Sequence, residues 1–509
     1  MANTLASQPN PQHVQSLVNA LNSGQLAQAE SHAKSLIAKH ANVFILHHVL
    51  SLALDGQQKY AEAVVSYKNA LELQHGKTDS GTPDLYFNLG IALTHLSRLD
   101  EAAEACQQAI KINPDFFEAH GNLGTVLQRQ GKLDAAIASY QAGLKINPQD
   151  ARGCFNLGTA LRDNGDLAAA VNSYKKAIQL FPNYTDAHNN LGETLRDQGN
   201  MEEAVKSYQA ALTLNAEHAQ ANYNMGEFLY LAKNYEEAIP YFERSQLDDW
   251  QERRLYCLYK AEKFDAFKAN RDALAGDMPN TSPFLATLST HYSLNFKEPD
   301  PYNFCKNGLD FVYHNTILQK NSSLLKELLN DIHNADIAER KQGRLTNGQQ
   351  SAGNLFKRPE ASFRALAEQI KQEFINYKNK FAGADCELIK AFPTELEFTS
   401  SWYVKMQQGG HLSAHIHEIG WISGAVYLAM PTPKDGSNEG AFEYGTHGDE
   451  YPQKHKNFPV AHVMPNVGDI VLFPSSLFHR TIPFNSNEAR ICIAFDLKPN
   501  TNISQKNSY

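Results

Sequence analysis

At 509 residues the chain is too long for one ordinary domain, and at roughly 150 residues per domain about two to four are expected. Its residues are 42% hydrophobic and 20% charged, enough to build sizeable cores, and a mean hydropathy of −0.46 with no apolar run near ~18 residues excludes a membrane-spanning helix. A formal charge of −9 and a pI near 6.1 argue against a general nucleic-acid binder.

The N-terminal MANTLASQPNPQ has neither the basic start nor the apolar stretch of a secretory signal. Cys106, Cys154, Cys257, Cys305, Cys386 and Cys492 stand far apart with no CxxC pair. That pattern predicts reduced thiols in a cytoplasmic protein and no disulfide framework.

The first half is periodic. Gly90, Gly124, Gly158, Gly192 and Gly226 follow one another at 34 residues. Twelve residues after each comes Ala102, Ala136, Ala170, Ala204 or Ala238, and four further on Cys106, Tyr140, Tyr174, Tyr208 or Phe242. Pro114, Pro148 and Pro182 close successive units. Two earlier units keep only Ala29 and Ala63 with Tyr67, separated from the regular array by an insert in the polar stretch 75–83. Small residues at this spacing let two antiparallel helices approach closely, and the aromatic fills the space between neighbouring hairpins. The units must stack to bury their apolar faces, which gives a solenoid. The pattern resembles the tetratricopeptide repeat (TPR), with about seven units expected over 10–252 and a degenerate capping hairpin and linker over 253–285.

Asn88, Asn122, Asn156, Asn190 and Asn224 each precede the repeat glycine by two residues. Asparagine is a mediocre helix former, so propensity does not explain five in register. Simple duplication explains them no better, because Gln128, Arg162 and Arg196 differ at another matching position. In a TPR this column faces the concave groove, and it resembles the asparagine ladder of the O-linked N-acetylglucosamine transferase family, which holds peptide backbones. The resemblance implies a protein or peptide partner bound through these amides. Neither nucleic acid nor a membrane is expected as a partner.

The periodicity fades near 275–300, where Pro and Asn clusters signal turns. Helices are expected at 322–333 and 359–381, the second with Phe363, Leu366, Ile370, Phe374 and Tyr377 on one stripe and Pro359 at its start. From about 385 the texture changes to short strands, at 396–406, 421–430, 440–445, 461–465, 469–474, 479–484 and 489–497. That spacing favours an all-β sandwich or barrel. The polar tail 499–509 is expected to be disordered.

His415 and His417 are two apart, so on a strand both imidazoles share one face. His479 opens a later strand, and Arg490 stands inside another. Two ligands from one strand and a third from a distant one suit a facial metal site in a jelly roll, and the arginine suits a carboxylate. His411, His447, His455 and His462 are read as ordinary hydrogen-bonded residues, and Gly409, Gly410 and Gly468 as hairpin or bulge glycines.

The segments WYVKMQQGG from Trp402, HIHE from His415, GWISGAVYL from Gly420, GDIVLFPS from Gly468, HRTIPF from His479 and RICIAF from Arg490 resemble the 2-oxoglutarate/Fe(II) oxygenase family often fused to TPRs. QSAGNLF from Gln350 and the 359–381 helix extend the likeness upstream, and an oxygenase-like domain is expected over 286–498. The resemblance implies a double-stranded β-helix, a form of jelly roll with flanking helices. It implies an Fe(II) centre that uses 2-oxoglutarate and O2 to hydroxylate a substrate. By position, His415 and His479 are metal ligands, Arg490 grips the far carboxylate of 2-oxoglutarate, and Tyr403 hydrogen-bonds the same group. The departure is His417, which stands where the family has a carboxylate; Glu418 beside it is the reserve ligand should a bulge turn it inward. Two rival readings remain: a three-histidine metal dioxygenase of the cupin kind without 2-oxoglutarate, and a TPR scaffold whose oxygenase-like domain is inactive.

Overall fold

The computed structural model describes residues 8–74, 81–247, 249–277, 279–340, 343–393, 396–418 and 420–499. Residues 75–80 of the polar insert and the tail from 500 onward are outside the described residues, and the expectation of a disordered tail falls there. Among the described residues, seventeen α-helices run between Pro11 and Phe296, and strands dominate the chain after Phe296. The chain divides into two compact units, Met1–Phe228 and Leu229–Tyr509.

The first unit is a TPR solenoid of antiparallel helix pairs. Examples are Thr82–His95 with Leu99–Ile112, Phe117–Arg129 with Leu133–Ile146, and Thr185–Asp197 with Met201–Leu214. The repeat glycines explain the closeness of each pair. A Cβ at Gly124 would lie 2.6 Å from the Tyr140 ring, one at Gly158 2.8 Å from Tyr174, and one at Gly192 2.5 Å from Tyr208. Each tyrosine ring therefore packs flat on bare backbone, and the column alanines from Ala29 to Ala204 are wholly buried. The earlier units follow the same plan, with Tyr67 fully buried beside Ala63.

The buried hydroxyls are served unevenly. Tyr140 Oη lies 3.0 Å from Thr125 Oγ1, and Tyr174 donates to Thr159 Oγ1 at 3.1 Å. Glu193 occupies the same repeat position beside Tyr208, whose hydroxyl is buried without a partner.

In the second unit, helices Trp250–Lys260, Phe264–Asp277 and Pro283–Phe296 share a cluster of Tyr256, Tyr259, Phe267, Phe284 and Tyr292. The strands are β1 (Tyr313–Thr316), β2 (Glu339–Arg340), β3 (Leu345–Ser351), β4 (Leu396–Leu412), β5 (Ile422–Ala429), β6 (Phe442–Gly445), β7 (Val460–Val463), β8 (Asp469–Pro474), β9 (Phe478–Thr481) and β10 (Arg490–Pro499). They form one sheet in the order β1-β8-β5-β10-β4-β3-β2 and a second in the order β7-β6-β9, all pairs antiparallel. This agrees with the jelly-roll expectation. Gly468 enters β8 at φ 94°, where a Cβ would fall 1.9 Å from the Leu318 carbonyl oxygen, so only glycine fits.

Each face of the large sheet has its own core. Helices Ser323–Asn334 and Ala361–Lys380 cover one face, burying Leu328, Phe363, Ile370 and Phe374 against Tyr403, Ile493 and Phe495. The stripe expected on the second of these helices is the buried one, although Pro359 sits one residue before the N-cap Glu360. The other face meets the small sheet through Val404, Tyr427, Phe442 and Phe473. Strand alternation sorts neighbours to opposite faces, and the three candidate histidines gather on the side of the second face.

Gly192→Val is expected to overpack the Tyr208 contact and destabilise the solenoid by ~1–3 kcal/mol. Urea unfolding of the full chain followed by helical circular dichroism measures it, and an unchanged midpoint would remove the close-approach explanation of the glycine column.

Candidate metal centre

The strand β4 stops at Leu412, so His415 and His417 lie in irregular chain beyond it and not on a strand. A different device aligns them. His415 and His479 form an isolated antiparallel bridge, His415 N–H donating to His479 O at 3.1 Å and the reverse at 2.9 Å. The two rings then face each other with centroids 4.3 Å apart, and His417 lies 4.9 Å from His479 and 5.3 Å from His415. One candidate ligand atom from each of the three lies within 4.8 Å of the others. Among the described residues this is the one such group of three or more histidine, cysteine or acidic side chains.

The tautomers follow from the partners. His415 Nδ1–H donates to Ser413 O at 2.8 Å, and His479 Nδ1–H donates to Leu477 O at 3.2 Å. A carbonyl oxygen only accepts, so Nδ1 carries the proton and Nε2 presents its lone pair. His417 Nδ1–H donates to the carboxylate of Asp496. Burial, reinforced by the neighbouring His417, holds the His415 imidazole down to about 3, and burial with His415 lowers His479 likewise. Both are neutral at pH 7, the form that binds a metal. For Asp496, burial alone would raise the carboxyl, but the His417 imidazole and the Ser423 and Ser400 hydroxyls outweigh it and hold it below the ordinary value. The donor set thus fits a divalent transition metal held by three Nε2 atoms.

A cavity of about 630 Å³ opens beside these rings. Trp402, Phe473 and Arg490 line it, with the Trp402 ring 5.5 Å from His417. Arg490 is 2% exposed. Its Nε donates to Gly440 O at 3.1 Å, and its guanidinium lies over the Tyr427 ring at 5.0 Å. Gln350, 3% exposed and in register with Val404, faces the same cavity.

Two expected site residues point elsewhere. Tyr403 is the odd neighbour of cavity-facing Trp402 and Val404, so alternation sends it into the opposite core, where its hydroxyl donates to Glu339 at 2.8 Å. Glu418 turns to Arg253, with Oε2 3.2 Å from Nη1, and lines a separate cavity. His411 Nδ1–H donates to Gly409 O at 3.1 Å, His447 lies 2.8 Å from His291, and His455 lies 3.0 Å from Leu294 O.

In the solenoid, Asn88, Asn122, Asn156 and Asn190 are half-buried. Asn224 differs: it is 3% exposed, and its Nδ2 donates to Asn189 Oδ1 and Glu193 Oε1, both at 3.0 Å. Glu193 also accepts from Arg162 at 2.5 Å, so that end of the column is committed to internal bonding.

Sequence reading missed Asp496, Ser423 and Gln350 as neighbours of the centre. The signal available was alternation along β10, where residues 490, 492, 494 and 496 must share a face. His479→Ala is expected to lose bound metal, whereas Glu418→Ala retains it. Metal content after anaerobic Fe(II) loading and desalting measures both, and retention in His479→Ala would refute the ligand assignment.

Residues 400–496 match the family described as "Putative 2OG-Fe(II) oxygenase", and tetratricopeptide repeat families match 83–116, 117–150, 155–216 and 189–252. No curated protein sequence matches the chain. Among solved structures, YrrB, described as a TPR protein with an unusual peptide-binding site, is 22% identical over 38% of this chain and 96% of its own, with a TM-score of 0.32. The pilF protein of Pseudomonas aeruginosa is 22% identical over 38% of this chain and 90% of its own, TM-score 0.35. MamA of Desulfovibrio magneticus RS-1 is 22% identical over 34% and 95%, TM-score 0.32. One chain thus carries tetratricopeptide repeats between residues 83 and 252 and, at 400–496, a domain that matches the family described as "Putative 2OG-Fe(II) oxygenase".

Proposed function

We propose that the protein is a cytoplasmic, non-haem Fe(II)- and 2-oxoglutarate-dependent dioxygenase that hydroxylates a protein or peptide recruited by the TPR groove. The observation that carries this reading is the convergence of three imidazoles, each with Nδ1 committed, in a cavity that also holds the buried Arg490. Bound there, Fe(II) with 2-oxoglutarate and O2 supplies the oxidising chemistry: decarboxylation to succinate and CO2 provides two electrons, and the substrate C–H bond the other two.

The chain's own residues bind, orient and exclude water. His415, His417 and His479 hold the metal through Nε2. Arg490, with its Nε tied to Gly440, offers its Nη donors to the far carboxylate of the cosubstrate. Trp402, Phe442 and Phe473 give the cavity apolar walls that keep water from the reacting centre. Asn88, Asn122, Asn156 and Asn190 offer side-chain amides to an extended peptide, while Asn224 braces the end of the column. Joining peptide binding to the oxidising centre in one chain raises the effective concentration of the bound substrate.

A second reading, a three-histidine metal dioxygenase without 2-oxoglutarate, is favoured by the all-imidazole ligand set. Anaerobic titration of the metal-free protein with Fe(II) and then 2-oxoglutarate separates the two. A visible charge-transfer band is expected only with both present, and Arg490→Ala is expected to lose it while still binding iron. Iron binding without a band in the wild type supports the second reading. No iron binding at all would leave a TPR scaffold.

A further inference from the structure

The three imidazoles differ in what holds them from behind. His415 and His479 rest on backbone carbonyls, which cannot change without moving the chain. His417 alone rests on a side-chain carboxylate, that of Asp496.

That carboxylate is itself held on both oxygens. Ser423 Oγ donates to Oδ1 at 2.7 Å and Ser400 Oγ to Oδ2 at 2.8 Å. Ser475 Oγ lies 2.8 Å from Ser423 Oγ and extends the network. The sheet register makes the arrangement: Asp496 pairs with Ser400 on β4 and with Ser423 on β5, so three polar side chains stand in one row across three neighbouring strands. The bulge in the β4 pairing falls immediately after Asp496. Asp496 is only 9% exposed, and a buried carboxylate is costly unless hydrogen bonds and an opposite partner compensate it.

We propose that Asp496 is a positioning residue for His417: it fixes the tautomer and angle of that ring, and it supplies from behind the negative charge that an all-histidine ligand set does not carry. This rests on the proposed metal centre. A carboxylate–histidine–metal relay raises the basicity of the ligand, and losing the outer partner typically weakens metal affinity ~10–100-fold. His415 and His479 do not depend on Asp496, so the effect is confined to one ring.

The test uses Co(II) alone, titrated into the metal-free full-length protein, with no cosubstrate. Asp496→Asn is expected to weaken Co(II) binding by ~10–100-fold and to change the visible d–d spectrum. In the Co(II) form, wild type is expected to show one hyperfine-shifted, exchangeable imidazole N–H proton signal per ligand. The variant is expected to move or lose only that of His417, which a merely loosened fold would not do. If Asp496→Asn does not fold by circular dichroism, Ser400→Ala/Ser423→Ala keeps the carboxylate but frees it, and a several-fold loss with the same single-signal change is expected. Wild-type affinity and an unchanged N–H pattern in the variant that folds would overturn the inference while leaving the metal reading intact. Failure of the wild type to bind Co(II) would overturn both.

Discussion

The centre depends on the pairing of β10 between β4 and β5. A strand alternates its side chains, and one held by a neighbour on each side cannot slip by a residue without turning every inward group outward. Along this one strand Arg490, Cys492 and Ala494 line the cavity, and Asp496 continues the series to the back of His417. From Arg490 to Asp496 is six residues, ~20 Å of strand at ~3.3 Å each. The two charged groups that define the ends of the site are thereby fixed relative to each other by backbone pairing, independent of any loop.

The histidines obey a second constraint. His415 and His479 are almost fully buried and neutral, and each has given its one N–H to a carbonyl. What remains on each ring is a lone pair facing two other lone pairs across less than 5 Å. Lone pairs so placed repel one another, and a shared cation would relieve that repulsion. The reciprocal backbone bridge between His415 and His479 resists the rings moving apart. On the proposed reading, ligand geometry would thus be set by chain pairing before any metal arrives, which is the preorganisation a catalytic site needs.

Much of this was legible from residue order. The glycine, alanine and tyrosine columns specify the solenoid because close helix approach has few solutions, and Gly192 against Tyr208 shows how literally the spacing translates. The strands from 396 onward are legible because their apolar runs are bounded by turns, and the three histidines because they sit at those boundaries. The strands β1 and β3 were not, since YHNT and LTNGQQS are polar and are recruited only by pairing to β8 and β4. Tyr403 was misplaced because reading the strand did not fix which parity faced the cavity. Alternation from Arg490 could place Asp496 on the cavity face, but not its partner Ser400, which is 96 residues away in sequence and is brought to it only by sheet register. Asn224 belonged to the asparagine column by spacing, yet two acceptors that the equivalent positions of the earlier repeats lack, Asn189 and Glu193, hold its amide inward.

The exchange of a ligand carboxylate for an imidazole backed by a carboxylate alters less than the sequence suggests. On the proposed reading the inward face of β10 carries one cation, Arg490, and one anion, Asp496, and a divalent metal with a dianionic cosubstrate adds no net charge. The total is that of a site with a carboxylate ligand; what changes is distance. A charge moved from the coordination shell to the far side of a ring interacts more weakly with the metal, since the Coulomb term falls with separation. Part of the loss returns through His417, because a ring whose Nδ1–H leans on a carboxylate is the stronger donor at Nε2. The metal in such a site is a somewhat stronger Lewis acid than with a direct carboxylate, and it holds anionic partners correspondingly more tightly. A buried arginine at the other end of the same strand then has the narrower task of selecting which anion stays.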